Sequence, residues 1–132
     1  MPRSLHDFAG TWQLTREINQ KGAPPATFVG QAEWSPDGDG LAYVERGTLT
    51  LHGQPPMAAE RRYRWDADLN IYFDDGRFFH QVPVEGGDAA HWCDPDQYDV
   101  VYDFADWPVW NCKWQVKGPR KDYVLKSNYF KL

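Results

Sequence analysis

The sequence predicts an all-β protein: one antiparallel up-and-down β-barrel of about eight to ten strands with a short helical turn at its start. Three observations predict it. Apolar residues recur at every second position over short runs, which is the period of a half-buried strand. Ten Pro and eleven Gly fall between those runs, where they punctuate turns. Aromatic residues make up 16% of the chain, seven each of Trp, Tyr and Phe, which favours pleated strands around an aromatic interior. No segment keeps a helical period, and no repeat or linker divides the 132 residues, so residues 1–132 read as one domain. Closure is expected because an open meander leaves exposed strand edges that template aggregation.

The elements follow in order. Ser4-Leu5-His6-Asp7 has the pattern of a capping box and opens a single helical turn that ends near Ala9-Gly10. A strand comes next, with Trp12, Leu14, Arg16 and Ile18 on one face. Gly22, Pro24 and Pro25 then make a loop. Phe28, Gly30, Ala32 and Trp34 share the apolar face of a second strand, and Pro36-Asp37-Gly38-Asp39-Gly40 turns the chain. Leu41, Tyr43, Glu45, Gly47, Leu49 and Leu51 define the inner face of a third strand, where Gly47 marks a bulge or a bend. Arg61, Tyr63 and Trp65 alternate with solvated Arg62 and Arg64. The hairpin Asn70 to Val82 follows, then a short strand around His91-Trp92-Cys93. Asp94-Pro95-Asp96-Gln97 places Asp and Pro as a type I turn does. Tyr98, Val100, Tyr102 and Phe104 form the next inner stripe, and Trp110, Cys112, Trp114 and Val116 another. Gly118-Pro119 leads into a last strand near Lys121 to Lys131.

Composition excludes several function classes. A net charge of −5, mixed in sign, does not favour nucleic acid or anionic lipid. No apolar run approaches membrane-spanning length, and Met1 to Phe8 lacks the basic and apolar regions of a secretory leader. Two cysteines, Cys93 and Cys112, are too few for a disulfide framework, so a cytoplasmic location is expected. No Gly-x-Ser-x-Gly, phosphate loop or dinucleotide fingerprint is present.

The segment Asp74-Asp75-Gly76-Arg77-Phe78-Phe79-His80 carries the densest local chemistry. As a two-residue type I′ hairpin around Asp75-Gly76, it sets Asp74 opposite Arg77, Phe73 opposite Phe78 and Ile71 opposite His80. Ile71, Phe73, Phe78, His80 and Val82 then face inward, and Tyr72, Asp74, Arg77, Phe79 and Gln81 face out. Arg77 reads as a surface partner of Asp74.

Arg16, Glu45, His91 and Cys93 also sit on faces that otherwise read apolar. A buried charge is costly unless paired, so Arg16 and Glu45 either find each other or hold a ligand. The competing reading puts them at a barrel mouth with their heads in water. His80, His91, Cys93 and Asp96 are metal ligands by type, but their spacing is not that of a zinc site, and no metal or other cofactor is expected. The expected function is binding of a small, partly aromatic or anionic molecule, with Arg16, Tyr43, Glu45, Tyr63, Trp65, His80, His91, Tyr98 and Tyr102 as candidate contacts. Two alternatives stand beside it: an enzyme using Glu45 or His80 as general base, and a structural or partner-binding module.

Phe8-Ala9-Gly10-Thr11-Trp12 resembles the opening of the lipocalins and fatty-acid-binding proteins, in which a helical turn leads into a Gly-x-Trp at the closed end of a barrel. The loop Asn19 to Thr27 leaves no room for the lid helices of the fatty-acid-binding proteins. Of the basic residue that lipocalins place over that Trp, only Lys126 or Lys131 is available. A similarity spanning nearly the whole chain is to a small family of uncharacterised bacterial and fungal proteins with a lipocalin-like barrel. It is carried by Gly10-Thr11-Trp12, Tyr43-x-Glu45-x-Gly47, Arg62-x-x-Trp65, Asp75-Gly76-Arg77-x-Phe79-His80, His91-x-Cys93 with Asp96-x-Tyr98, and Gly118-Pro119-Arg120-Lys121-Asp122-Tyr123. The resemblance implies a lipocalin-like fold and no particular activity.

Overall fold

Ten antiparallel strands follow one another around a nearly closed barrel in the computed structural model, which describes residues 2–132. Met1, with which the leader reading began, lies outside the described residues. After helical turn α1 (Leu5–Phe8) come β1 (Gly10–Gln20), β2 (Ala26–Asp37), β3 (Gly40–Thr50), β4 (Met57–Trp65) and β5 (Asn70–Phe73). The second half holds β6 (Phe78–Gln81), β7 (Gly87–Cys93), β8 (Asp96–Asp103), β9 (Trp110–Lys117) and β10 (Asp122–Lys131). The sheet order is β6-β5-β4-β3-β2-β1-β10-β9-β8-β7, so every neighbour is sequential except where β10 returns to β1. No described helix is long and apolar enough to cross a membrane.

Alternation builds each wall. Trp12, Leu14 and Arg16 on β1 point inward, and so do Phe28, Ala32 and Trp34 on β2. Leu41, Tyr43 and Glu45 do the same on β3. Gly47 is the bend, not a bulge, because β2 and β3 keep unbroken register through the Gly30↔Gly47 pair. A Cβ on Gly47 would lie 2.6 Å from the Gly30 Cα, and one on Gly30 only 2.1 Å from the Arg46 carbonyl oxygen. Only paired glycines allow the two strands to curve this closely.

The closed end is packed by aromatic rings. Phe8 sits 5.0 Å from Trp65, 5.2 Å from Trp107 and 5.5 Å from Trp110, measured between ring centroids. The Ser4 backbone N–H donates to the Asp7 carboxylate at 2.8 Å, which anchors the turn that carries Phe8. The Trp12 indole donates to the Phe8 carbonyl at 2.9 Å. Lys131 supplies the cation over Trp12, 4.6 Å from the ring centroid, and donates to the Ala9 carbonyl. Lys126 is exposed.

The β5–β6 hairpin differs from the expected register. A type I′ turn needs positive φ at both central residues. Here Gly76 has φ 91°, while Leu69 is the one non-glycine residue with positive φ among those described. The loop is therefore Asp74-Asp75-Gly76, with Phe73 and Arg77 opposed: the Phe73 N–H donates to the Arg77 carbonyl at 2.8 Å. Tyr72 pairs with Phe78 and Ile71 with His80, which leaves Phe79 as an extra residue in a bulge. Phe79 and His80 both turn inward, whereas Phe78 is 47% exposed. The expectation that Phe78 faces in and Phe79 out is thus reversed. Burying a Phe ring is worth about 2–3 kcal/mol, which favours the bulged register. Arg77 pairs with Asp75 at 2.7 Å, not with Asp74. The β7–β8 turn also differs from the expected one: Cys93 pairs with Asp96, so its two central residues are Asp94 and Pro95.

The strands β6 and β7 are the two ends of the sheet and share no ladder. Side chains close the seam between them: the His91 ring lies 5.7 Å from Phe79 and 6.3 Å from Phe78.

Candidate functional site

Arg16 and Glu45 meet inside the barrel, 7% and 2% exposed, so the reading that placed their heads in water is corrected. Alternation aims both inward, and the curvature of β1, β2 and β3 brings them together across the intervening strand. The guanidinium grips the carboxylate with two bonds, Nη1 to Oε2 at 2.6 Å and Nη2 to Oε1 at 2.9 Å. Arg16 Nε donates to Ser127 Oγ at 2.7 Å, and the Tyr43 hydroxyl donates to Glu45 Oε1 at 2.6 Å. Because the Tyr43 proton is directed at the carboxylate, Tyr129 is the donor in the 2.9 Å bond between the two hydroxyls. This relay satisfies both charges, which is what makes an ion pair tolerable in an apolar interior.

Burial and pairing set the ionisation. Burial alone raises the Glu45 carboxyl, but the bonds from Arg16 and Tyr43 outweigh it and hold its pKa below the ordinary value. Arg16, opposed by its own burial but bonded to Glu45, is held more firmly protonated than a free arginine. Burial pushes the Tyr43, Tyr102 and Tyr129 hydroxyls upward and the Cys112 thiol up to about 12. At neutral pH the interior therefore holds one ion pair surrounded by neutral hydroxyls and a neutral thiol.

Above this network lies a cavity of about 30 Å³ lined by Arg16, Tyr43, Glu45, Tyr63, Trp65 and Tyr102 from the expected set. It is completed by Ile71, Phe79, Trp110, Cys112, Trp114 and Tyr129. The space suits a water or two, well short of the ~150 Å³ that a benzene ring occupies in an engineered core. The roof is aromatic: Phe79 lies 5.1 Å from Trp114 and 4.6 Å from Phe73, and Tyr63 lies 6.4 Å from Trp114.

His80, His91 and Tyr98 do not line the cavity. His80 stands behind Tyr102, its Nε2 bonded to that hydroxyl at 2.7 Å and its Nδ1 buried without a partner. Burial lowers its pKa to about 3, with His91 adding to the effect, so the ring is neutral at neutral pH. His91 and Tyr98 are half-buried on β7 and β8 against the Phe79 ring. Tyr98 also receives the Lys121 ammonium, which pairs with Asp96 at 3.0 Å. No cluster of three or more His, Cys, Asp or Glu that could hold a metal forms among the described residues. Glu45 and His80 share no cavity, and both Glu45 oxygens are occupied by Arg16 and Tyr43. Sequence reasoning missed Ser127, Tyr129 and Phe79. The first two alternate with Leu125 in the last strand and were open to discovery there. Phe79 was not, because its direction depends on the bulge.

The aromatic-walled barrel with its paired Arg16 and Glu45 matches a known sequence family over residues 8–131. The chain belongs to the family of unknown function DUF6314. No curated protein sequence matches this DUF6314 member. Among solved structures, its barrel is similar to an S-type phycobiliprotein lyase from Guillardia theta, with a TM-score of 0.65 at 7% identity over 97% of this chain and 90% of the other. At that identity the likeness is one of fold. It places the DUF6314 barrel among lipocalin-like architectures.

Proposed function

We propose that the barrel binds a small, partly aromatic molecule, seated above the Arg16–Glu45 pair and enclosed by Tyr63, Trp65, Tyr102, Trp110 and Trp114. The observation that carries this reading is the chemistry of the lining. A polar floor whose hydrogen bonds are already satisfied lies beneath aromatic walls, the mix of surfaces that ligand pockets present. At about 30 Å³ it admits a ligand only when its roof moves. The roof residues Tyr63, Phe73 and Trp114 are half-buried, so they can swing towards solvent without opening the packed closed end. Lyase chemistry does not come with a likeness at 7% identity. The two free thiols, Cys93 and Cys112, support a reducing cytoplasmic setting.

Titration with the fluorescent neutral probe N-phenylnaphthylamine tests the reading. Saturable binding to one site is expected in the native protein. The Cys112→Leu variant, which fills the cavity from β9, should bind at least about tenfold more weakly while keeping its far-ultraviolet circular dichroism. Absence of saturable binding, or binding indifferent to Cys112→Leu, would overturn it.

A further inference from the structure

One arginine at the barrel mouth makes no ion pair among the described residues. The arginines of the neighbouring strands and turns are each committed: Arg16 to Glu45, Arg46 and Arg62 to Glu60, Arg64 to Asp37 and Asp39, Arg77 to Asp75. Arg61 forms no ion pair among the described residues, although it is half-buried. The Tyr63 hydroxyl is within hydrogen-bonding reach of its guanidinium, but no carboxylate lies within ion-pair distance of this partly desolvated cation.

Its position is informative. Arg61 is the cross-strand partner of Glu45 and shares the inward face of β4 with Tyr63 and Trp65. Its guanidinium carbon lies 5.9 Å from the centroid of Trp114, a β9 residue. Since β4 and β9 stand on opposite sides of the sheet order, the side chain spans the mouth instead of lying along the outside. Access exists from the same side. Strand β5 pairs only with Tyr63 to Trp65, so the edge of β4 from Met57 to Arg62 has no neighbour there. An open groove of about 590 Å³ runs along it, lined by Arg61, Arg62, Tyr63, Phe73, Asp74 and Asp75. Tyr63 and Phe73 belong both to this groove and to the aromatic roof, which connects the outer approach to the cavity.

Most charges around the mouth are paired. Glu45 is neutralised by Arg16, and Asp75 by Arg77. Asp74 sits exposed at the turn tip, where solvent screens it. Arg61 is left as a positive charge outside any ion pair, beside the edge-to-face rings of Tyr63 and Trp114.

We infer that Arg61 is the anion-recognising residue of the barrel mouth and that the ligand is an aromatic monoanion, its carboxylate or sulfonate held by the Arg61 guanidinium and its ring inserted between Tyr63 and Trp114. This rests on the small-molecule reading above and names the ligand class for that same site. A guanidinium fork matches a carboxylate or sulfonate edge, and the flanking rings match a planar body.

The test compares two probes with one aromatic skeleton: anilinonaphthalenesulfonate, which is anionic, and N-phenylnaphthylamine, which is neutral. Each is titrated by fluorescence into the native protein, Arg61→Gln and Arg46→Gln. The Arg46 change removes the same charge from an exposed, Glu60-paired position outside the groove and so controls for net charge. Arg61→Gln is expected to weaken the anionic probe about tenfold or more while leaving the neutral probe within about twofold, and Arg46→Gln to leave both within about twofold. If Arg61→Gln and Arg46→Gln act alike on the anionic probe while the neutral probe still binds, the assignment of Arg61 fails and the binding function stands. If neither probe binds the native protein, the binding function fails and this assignment with it.

Discussion

Glu45 and His80 are both buried and titratable, and the fold holds them in opposite charge states. The Glu45 carboxyl is depressed because its charged form receives Arg16 and Tyr43. The stability it contributes is present above its ordinary value of 4.5 and is lost as pH falls from there through the folded-state value. His80 is depressed from 6.5 to about 3 because burial penalises its charged form. An unfolded chain takes up that proton below 6.5 and the folded one refuses it until about 3, so stability falls across this window by up to about 1.4 kcal/mol per pH unit. Urea unfolding at pH 7, 5.5 and 4.5 should show this slope in the native protein and a shallower one in His80→Gln. His91, lowered by burial and then by Arg77, titrates in both proteins and cancels in the comparison. An equal slope in the variant would remove His80 as its source. Removing one member of the buried pair exposes the other's desolvation cost. Glu45→Gln should therefore destabilise by about 3–5 kcal/mol, and the double change Arg16→Met with Glu45→Leu should recover most of that loss in the same urea assay.

The β5–β6 hairpin shows how one element resisted reading from sequence. The inward direction of His80 and the outward direction of Tyr72 were legible from alternation, but the neighbouring phenylalanines were exchanged. The three-residue loop shifts the register by one and turns Phe78 outward, and the bulge at Phe79 shifts it back, so His80 keeps its place opposite Ile71. The exchange has a measurable consequence. Phe79→Ala removes the ring at the centre of the roof and should cost about 3–5 kcal/mol in urea unfolding, whereas Phe78→Ala should cost under about 1 kcal/mol. Phe79→Ala should also tighten N-phenylnaphthylamine by enlarging the cavity that Phe79 lines. The reverse ranking of the two variants would restore the regular hairpin. Glycine was more readable: Gly47 announced a bend or a bulge in β3, and pairing with Gly30 makes it a bend.

At the scale of the whole barrel, the seam between β6 and β7 is the weak boundary. Strands β1, β2 and β10 are paired along most of their length on both sides, while β6 and β7 each have one paired edge. Native-state hydrogen exchange should find the slowest amides in β1, β2 and β10 and the fastest strand amides in β6 and β7. Uniform protection around the barrel would mean that the seam is closed in solution. The seam adjoins the aromatic roof through Phe79 and His91, so the least stable wall is also the one beside the proposed entrance.

Alternation and aromatic content were enough to determine an up-and-down antiparallel barrel, its inward faces outside the β5–β6 hairpin, and the inner face that Arg16 and Glu45 share. These properties are local, repeating with a period of two along each strand. Only the tertiary structure decided that Arg16 and Glu45 bind each other, that Tyr129 and Ser127 complete their shell, and that the interior is filled to about 30 Å³. Arg16 and Ser127 stand 111 residues apart in the chain. Which inward residues meet depends on strand tilt and stagger around the barrel, and the volume left between them depends on the summed packing of every wall. A period-two pattern carries neither quantity, and for the same reason it set Arg61 on the face of Tyr63 and Trp65 without showing that Arg61 reaches Trp114.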